Sequence, residues 1–513
     1  MDLNMRTIRY YDTALQASVA KEESADLIVP DLYPDIARIL DVSGLVVIKE
    51  KNALDGRVEL GGVVRANILY VPEGEQGLKR IDVSLPFSHV FEKEGVTSEV
   101  KLLTKAALLS AEARPINPRK VSVTVGVQLE VTALAAADWS LCEGIDDARA
   151  YSVQLLKSVE QAYMPVAVAE KTFQVSDEME VPGSRPPVVD ILKTDVRLLT
   201  QETKPIGNKL VLKGAALLKV LYQGPPAHQP SEEIHMLEEE IPFSQIIEME
   251  ELEESGEYTV TLKLCALEMD LRAGLSGESR VLGVNLQAEA EAVCIAARRL
   301  EAVVDLYSTA YDVKTEFCAY QITRLRGKST QRQSVRESLE TGQPVASVVD
   351  AQVLLWPVQL KEGNGEVSCD AVVKVVYLGD DQQFHALQQR LPVSLQLEAE
   401  GSPSCRAEAA IGGEVQATGT HDGIEVRFTV EFDLVESQVG QFSAVGAANV
   451  DTQAPKDHTG RPSVVLRRCR PGELLWNIAK KHNTTRDDLI QANHLSDEER
   501  ITEERMMLIP RKR

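Results

Sequence analysis

Apolar and polar residues alternate with a period of two along most of this chain, the pattern of strands that bury one face. One such strand is written three times, and each copy ends in tyrosine. Its apolar row is Val58, Leu60, Gly62, Val64, Ala66, Ile68, Tyr70 in the first copy. The second reads Leu210, Leu212, Gly214, Ala216, Leu218, Val220, Tyr222, and the third Val367, Cys369, Ala371, Val373, Val375, Tyr377. The tyrosines lie 152 and 155 positions apart, which predicts tandem domains rather than one large fold. A Pro-led apolar opening precedes each copy, from Pro34, Pro187 and Pro344. An apolar-Pro-apolar step follows each, at Leu85-Pro86-Phe87, Ile241-Pro242-Phe243 and Leu391-Pro392-Val393. A further alternating strand closes each unit, at Val121–Val131, Leu282–Ala292 and Ile424–Leu434. Several such strands per ~100 residues predict a mainly β fold of three tandem antiparallel sandwich or barrel-like repeats. Tyr70, Tyr222, Tyr377, Pro86, Pro242 and Pro392 read as structural anchors of those repeats, not as a site.

The same pattern divides the chain. A lead-in occupies 1–26 and β repeats occupy 27–137, 181–297 and 341–440. Linkers are expected at 138–180, 298–340 and 441–462, and a small terminal module at 463–513. In the lead-in, Tyr10, Tyr11, Leu15 and Val19 sit at roughly helical spacing and predict a short amphipathic helix. Tyr151–Tyr163 predicts another short helix. The basic run Arg324–Arg336 reads as a solvated linker, and Ala444–Pro462, rich in Ala, Gly, Asp and Pro, as a flexible tether.

The terminal module departs from the period of two. A strand at Val464-Val465-Leu466 leads into the turn Arg470-Pro471-Gly472-Glu473 and a helix over Leu474–His482. Asn483-Thr484-Thr485 breaks it, a second helix covers Arg486–Ala492, and Met507-Leu508-Ile509-Pro510 closes the module. Trp476, Ile478, Ala479, Leu489 and Ile509 supply its predicted core. Thr485, followed by Asp487 and Asp488, is a good N-cap with acids in the first turn.

This α+β (βααβ) module resembles the LysM domain. The residues that carry the resemblance are Pro471-Gly472-Glu473-Leu474-Leu475-Trp476, Ile478-Ala479, Asn493 with Leu495, and Ile509-Pro510. It implies a groove between the first turn and the loop after the second helix, at Gly472, Glu473, Leu474, Asn493, His494 and Leu495. In LysM domains that groove takes N-acetylglucosamine glycans. Here Glu473-Leu474 stands where the family has Asp-Thr, and Glu504 where it has Gly before the last strand. A groove that loses a hydroxyl and gains an apolar side chain suits a protein partner better than a sugar.

Bulk properties narrow the function classes. At 513 residues and 44% hydrophobic, with mean hydropathy -0.14, the chain reads as a globular multi-domain protein. It has no apolar run long enough to cross a bilayer and no Sec-type start, so neither membrane insertion nor export is expected. Seven cysteines with no CxxC pair fit a reducing compartment. A net charge of -23 argues against nucleic acid. From Ser463 onward, 11 Lys+Arg stand against 8 Asp+Glu, or +3, so the remaining residues carry -26.

Candidate chemistry is sparse. The eight histidines are isolated, no metal-ligand or phosphate-cradling spacing occurs, and no metal or cofactor is expected. The acidic run Glu248–Glu254 reads as a solvated face. Three β repeats followed by one LysM domain look like the SPOCS-domain proteins of spore-forming Firmicutes. That resemblance implies a non-enzymatic adaptor in spore coat assembly, placed in the mother-cell cytoplasm at the forespore surface or coat. Its implied partner is the coat morphogenetic ATPase that polymerises into the basement layer. The alternative is a LysM-mediated binder of peptidoglycan glycan in the cell wall or spore cortex.

Overall fold

The computed structural model describes all residues except 1, 75–76, 227–232, 274–276, 362–364, 398–403, 458, 460–461, 496–499 and 512–513. One six-strand pattern recurs three times, with two of its strands each split into a pair in the third unit. The first unit comprises β1 (Leu3–Ile28), β2 (Ile36–Leu54), β3 (Arg57–Pro72), β4 (Lys79–Glu92), β5 (Lys101–Asn117) and β6 (Lys120–Ile145). The second comprises β7 (Val153–Glu180), β8 (Asp190–Ile206), β9 (Lys209–Gln223), β10 (Ile234–Glu248), β11 (Glu257–Ala273) and β12 (Ser279–Ser308). The third comprises β13 (Tyr311–Glu340), β14 (Val345–Leu355), β15 (Gln359–Lys361), β16 (Glu366–Gly379), β17 (Phe384–Gln396), β18 (Ser404–Ile411), β19 (Gln416–Gly419) and β20 (Gly423–Pro455). Within each unit a meander (β2-β3-β4, β8-β9-β10, or β14-β16-β17 with β15 on β16) faces a second sheet. That sheet runs β1-β6-β5, β7-β12-β11, or β13-β20-β18 with β19 also on β20. The tyrosine-ended strands β3, β9 and β16 are the meander centres.

The segments expected to be a lead-in and linkers are mostly strand. The helix expected around Tyr10–Val19 lies inside β1, and the one expected at Tyr151–Tyr163 is a turn running into β7. Arg324–Arg336 belongs to β13, and β20 continues through most of the expected tether to Pro455. His228 and His458 lie outside the described residues. The helix expected in the lead-in is strand instead because a bulge breaks the alternation of β1. Pairing of β1 with β6 shifts register between Thr13 and Leu15, so buried Ile8 and buried Leu15 differ in parity along one strand. A strand that changes faces midway loses its period of two.

These bulges divide each long strand into a sandwich half and an arm. The arms are β1 with β6 (Leu3↔Ile145), β7 with β12 (Val153↔Ser308) and β13 with β20 (Tyr311↔Pro455). A two-stranded ribbon is marginal alone, and the three arms bury one another. Ile8 and Leu141, Met164 and Leu300, and Ile322 and Phe442 share one core; Cys142, Val303 and Val445 share another.

The units also meet at the meanders. Leu69, Leu221 and Val376 each precede the tyrosine of their unit, and they pack in one cluster with Leu40, Leu192 and Phe384. Register shifts in the flanking strand recur at the equivalent place, Ile39/Asp41, Ile191/Lys193 and Val348/Asp350. Equivalent positions meeting one another amount to a threefold assembly written in one chain.

Small and large residues trade places between units. Gly62 pairs with Phe87 and Gly214 with Phe243, and a Cβ at either glycine would sit within 2.6 Å of the phenylalanine ring. In the third unit the pair is Cys369 with Val393. Summed volume is kept while its division changes.

Candidate functional site

The terminal module is a hairpin, β21 (Val464–Cys469) with β22 (Arg505–Pro510), carrying α1 (Leu475–His482) and α2 (Arg486–Asn493). Thr485 caps α2, its hydroxyl accepting from the Asp488 amide at 3.1 Å. Leu474 occupies the N-cap of α1 and supplies no side-chain bond. Trp476, Ile478, Ala479, Leu489 and Ile509 are buried together with Cys469, Leu475, Ile501 and Met507.

The groove residues are largely engaged within the module. Gly472 takes a φ of +88°, and its amide donates to the Ile501 carbonyl at 2.8 Å. Ile501 in turn donates to the Glu473 carbonyl at 2.9 Å, and the Glu473 carboxylate pairs with Arg467 at 3.0 Å. Asn493 ties α2 to β22. Its amide donates to the carbonyls of Leu489 (2.9 Å) and Leu508 (2.7 Å) and accepts from the Leu508 amide at 2.7 Å. His494 is exposed in the left-handed C-cap of α2 at φ 50°, and Leu495 packs on the module core. A cleft of about 350 Å³ opens between Leu475, Leu495, Arg500, Ile501, Thr502, Glu503 and Arg505. Of the six expected groove residues, only Leu495 lines it. Gly472, Glu473 and Leu474 reach it through their backbone bonds to Arg500 and Ile501.

The module is seated on the second unit. Asp305 of β12 accepts from the Trp476 indole at 2.7 Å and from Lys480 at 2.6 and 2.9 Å. The Tyr307 hydroxyl donates to the Thr484 carbonyl at 2.7 Å, and its ring meets Trp476 edge-on at 4.9 Å. Burial, and then Asp488 and Asp305, push the Tyr307 phenol well above its usual range. Lys456 donates to the Ser308 carbonyl at 2.8 Å and to Asn483 at 2.9 Å. Trp476 is therefore held by the body, through Asp305 and Tyr307, as well as by its own module. Sequence reasoning passed over Asp305 and Tyr307, because no motif marks two residues near a strand end.

The family comparisons follow this geometry. The family described as SipL, SPOCS domain matches residues 35–116 and 187–272, and the LysM domain matches 470–510. The chain carries SPOCS domains and a LysM domain. No curated protein and no solved structure matches it. Both families are non-catalytic binding domains, and together they mark a sporulation-related protein with a LysM module. Residues 341–440 lie outside the matched segments; there the repeat rests on the Tyr-ended strand, the Leu391-Pro392-Val393 step, the strand order and the register shift at Val348/Asp350.

The body's polar clusters are structural. Tyr70 and Tyr222 are fully buried, each hydroxyl donating at 3.2 Å to the carbonyl of Pro34 or Pro186, and Tyr377 is 5% exposed. Pro86, Pro242 and Pro392 sit on the outer strands β4, β10 and β17, where a missing N–H is tolerated. Glu170, Glu289 and Glu291 converge closely enough to hold a metal ion, but Lys51 already bonds all three at 2.6 to 3.0 Å and Lys263 bonds Glu289 and Glu291. Ammonium groups fill the place of a cation. The run Glu248–Glu254 is peripheral, with Glu251 and Glu253 paired to Arg9 and Arg298. Among the described residues, no helix is long and apolar enough to cross a membrane.

Proposed function

We propose that the chain is a non-enzymatic adaptor in spore coat assembly. Its LysM module grips the coat morphogenetic ATPase of the basement layer at the forespore surface, on the mother-cell side, and the third β unit is a further SPOCS copy. The observation that carries this reading is Leu474. An apolar residue at a helix N-cap forgoes about 1 kcal/mol that Ser, Thr, Asp or Asn would supply, and Leu474 stays partly exposed while doing so. A local rule broken without local gain marks a functional position. The groove's polar side chains are meanwhile engaged elsewhere in the module, Asn493 with the Leu489 and Leu508 backbone and Glu473 with Arg467, leaving few for a sugar's hydroxyls.

Capture from sporulating-cell extract by the full chain tests this. Leu474→Asp is expected to abolish ATPase capture through the surface. Trp476→Ala is expected to do so by removing a core residue and its bond to Asp305. Undiminished capture by Leu474→Asp would remove Leu474 as the grip, and recovery of glycan in place of the ATPase would favour the peptidoglycan-binding alternative.

A further inference from the structure

Charged side chains gather where the three meanders meet. Asp41, Lys193, Asp350 and Lys374 are all buried there, and Lys219 joins them from a half-buried position. They occupy two positions of the repeat. Asp41, Lys193 and Asp350 stand on the first meander strand of their units, each just after a register shift. The second position lies on the centre strand, three residues before the tyrosine, and holds Asn67, Lys219 and Lys374. Pairing sets Asn67 opposite Ser43, Lys219 opposite Asp195 and Lys374 opposite Gln352, so the three are equivalent.

The contacts between units run one way round the assembly. Lys374 of the third unit enters the first, donating to Asp41 at 3.3 Å and to the carbonyls of Val42 at 2.7 Å and Ala111 at 3.4 Å. Lys219 of the second unit pairs with Asp350 of the third at 3.3 Å. From the first unit to the second, the residue met is Lys193, and here the centre strand carries uncharged Asn67 in place of lysine. The outer seams keep the same sense. Lys51 of the first unit pairs with Glu170 and Glu289 of the second, Arg197 of the second donates to the Ile411 and Gly413 carbonyls of the third, and the Trp356 indole of the third donates to the Leu109 carbonyl of the first. Placing the units in the opposite order would set buried Lys374 against buried Lys193 and leave Asp350 facing only Asn67. Like charges brought together out of water are strongly disfavoured, and a buried carboxylate without its cation is too.

We propose that these six positions are a charge key that sets the cyclic order of the units, each centre strand reading the first-strand residue of the unit beside it. A key of this kind excludes wrong neighbours rather than adding raw stability. Zero-length carbodiimide cross-linking of the full chain reports two seams directly. Lys51 and Glu170 lie 2.6 Å apart between the first and second units, and Lys105 and Glu408 lie 2.6 Å apart between the first and third. The double variant Asp41→Lys with Lys193→Asp keeps composition and net charge but sets buried Lys374 against a lysine. After unfolding in urea and refolding, its Lys105–Glu408 product is expected to fall at least ~10-fold. Adding Asn67→Lys and Lys374→Asn moves the whole key one unit round, again at constant composition, and is expected to restore both products to the wild-type yield. Unchanged Lys105–Glu408 product in the double variant would show that the chain connections alone set the order. Four substitutions that did no better than two, whether or not the double variant folds, would equally overturn the proposal.

Discussion

At the scale of single residues, the most consequential group is Lys193. It donates to Asp41 at 2.9 Å and to Asp350 at 2.7 Å, and all three are more than nine-tenths buried. They occupy one position of the repeat, written Asp, Lys, Asp across the units, with Lys374 and Lys219 joining Asp41 and Asp350 at 3.3 Å. Burial alone would push Asp41 up, but Lys193 and Lys374 outweigh it and hold the carboxyl at about 2. Asp350 is lowered against burial by Lys193 and Lys219, and Lys193 is raised against burial by Asp350 and Asp41. A depressed carboxyl contributes stability above its ordinary range near pH 4 and loses it as pH falls towards 2. A raised lysine contributes below ~10.4 and loses its share only as pH climbs past that. The cluster is therefore at full strength near neutrality. Lys193→Met leaves Asp41 with Lys374 and Asp350 with Lys219 as their remaining cationic partners, and is expected to cost up to about 3–5 kcal/mol at pH 7, less at pH 3 as the two aspartates take up protons. Urea unfolding at both pH values checks this, and an unchanged midpoint at pH 7 would contradict it.

At the scale of elements, the seat of the LysM module decides whether it hangs free or is held. Asp305→Ala removes the acceptor of two donors, one of them charged, each such bond contributing about 1.5–3 kcal/mol at most. The variant is expected to leave the β units' melting unchanged while exchange in α1 and proteolysis near residues 456–463 rise several-fold. Equal exchange in both proteins would show that the seat does not hold. The elements also show what the sequence could disclose. Strands β3, β9 and β16, the Pro steps on their neighbours and the two LysM helices were legible, because each keeps one period from end to end. Strands β1, β7 and β13 were not, because register shifts at Thr13/Leu15 in β1 and Leu325/Gly327 in β13 break their alternation. Within the candidate site the turn, caps and core were legible from local motifs. Asn493's role as a tie to β22, and the seat at Asp305 and Tyr307, depend on contacts 15 and 171 or more residues away.

At the scale of the whole molecule, three units that bury each other's arms and meanders leave one module with a surface unlike theirs. The body carries the acidic charge, the module is net positive, and the seat fixes one against the other. That arrangement suits a scaffold that presents a single grip. Calorimetric titration of the full chain against the polymerised coat ATPase and against chito-oligosaccharide puts it to the proof. Saturable binding to the ATPase that Leu474→Asp weakens at least ~10-fold, with no heat from the sugar at millimolar concentration, is the expected result. Tight, stoichiometric sugar binding with no response to the ATPase would contradict it.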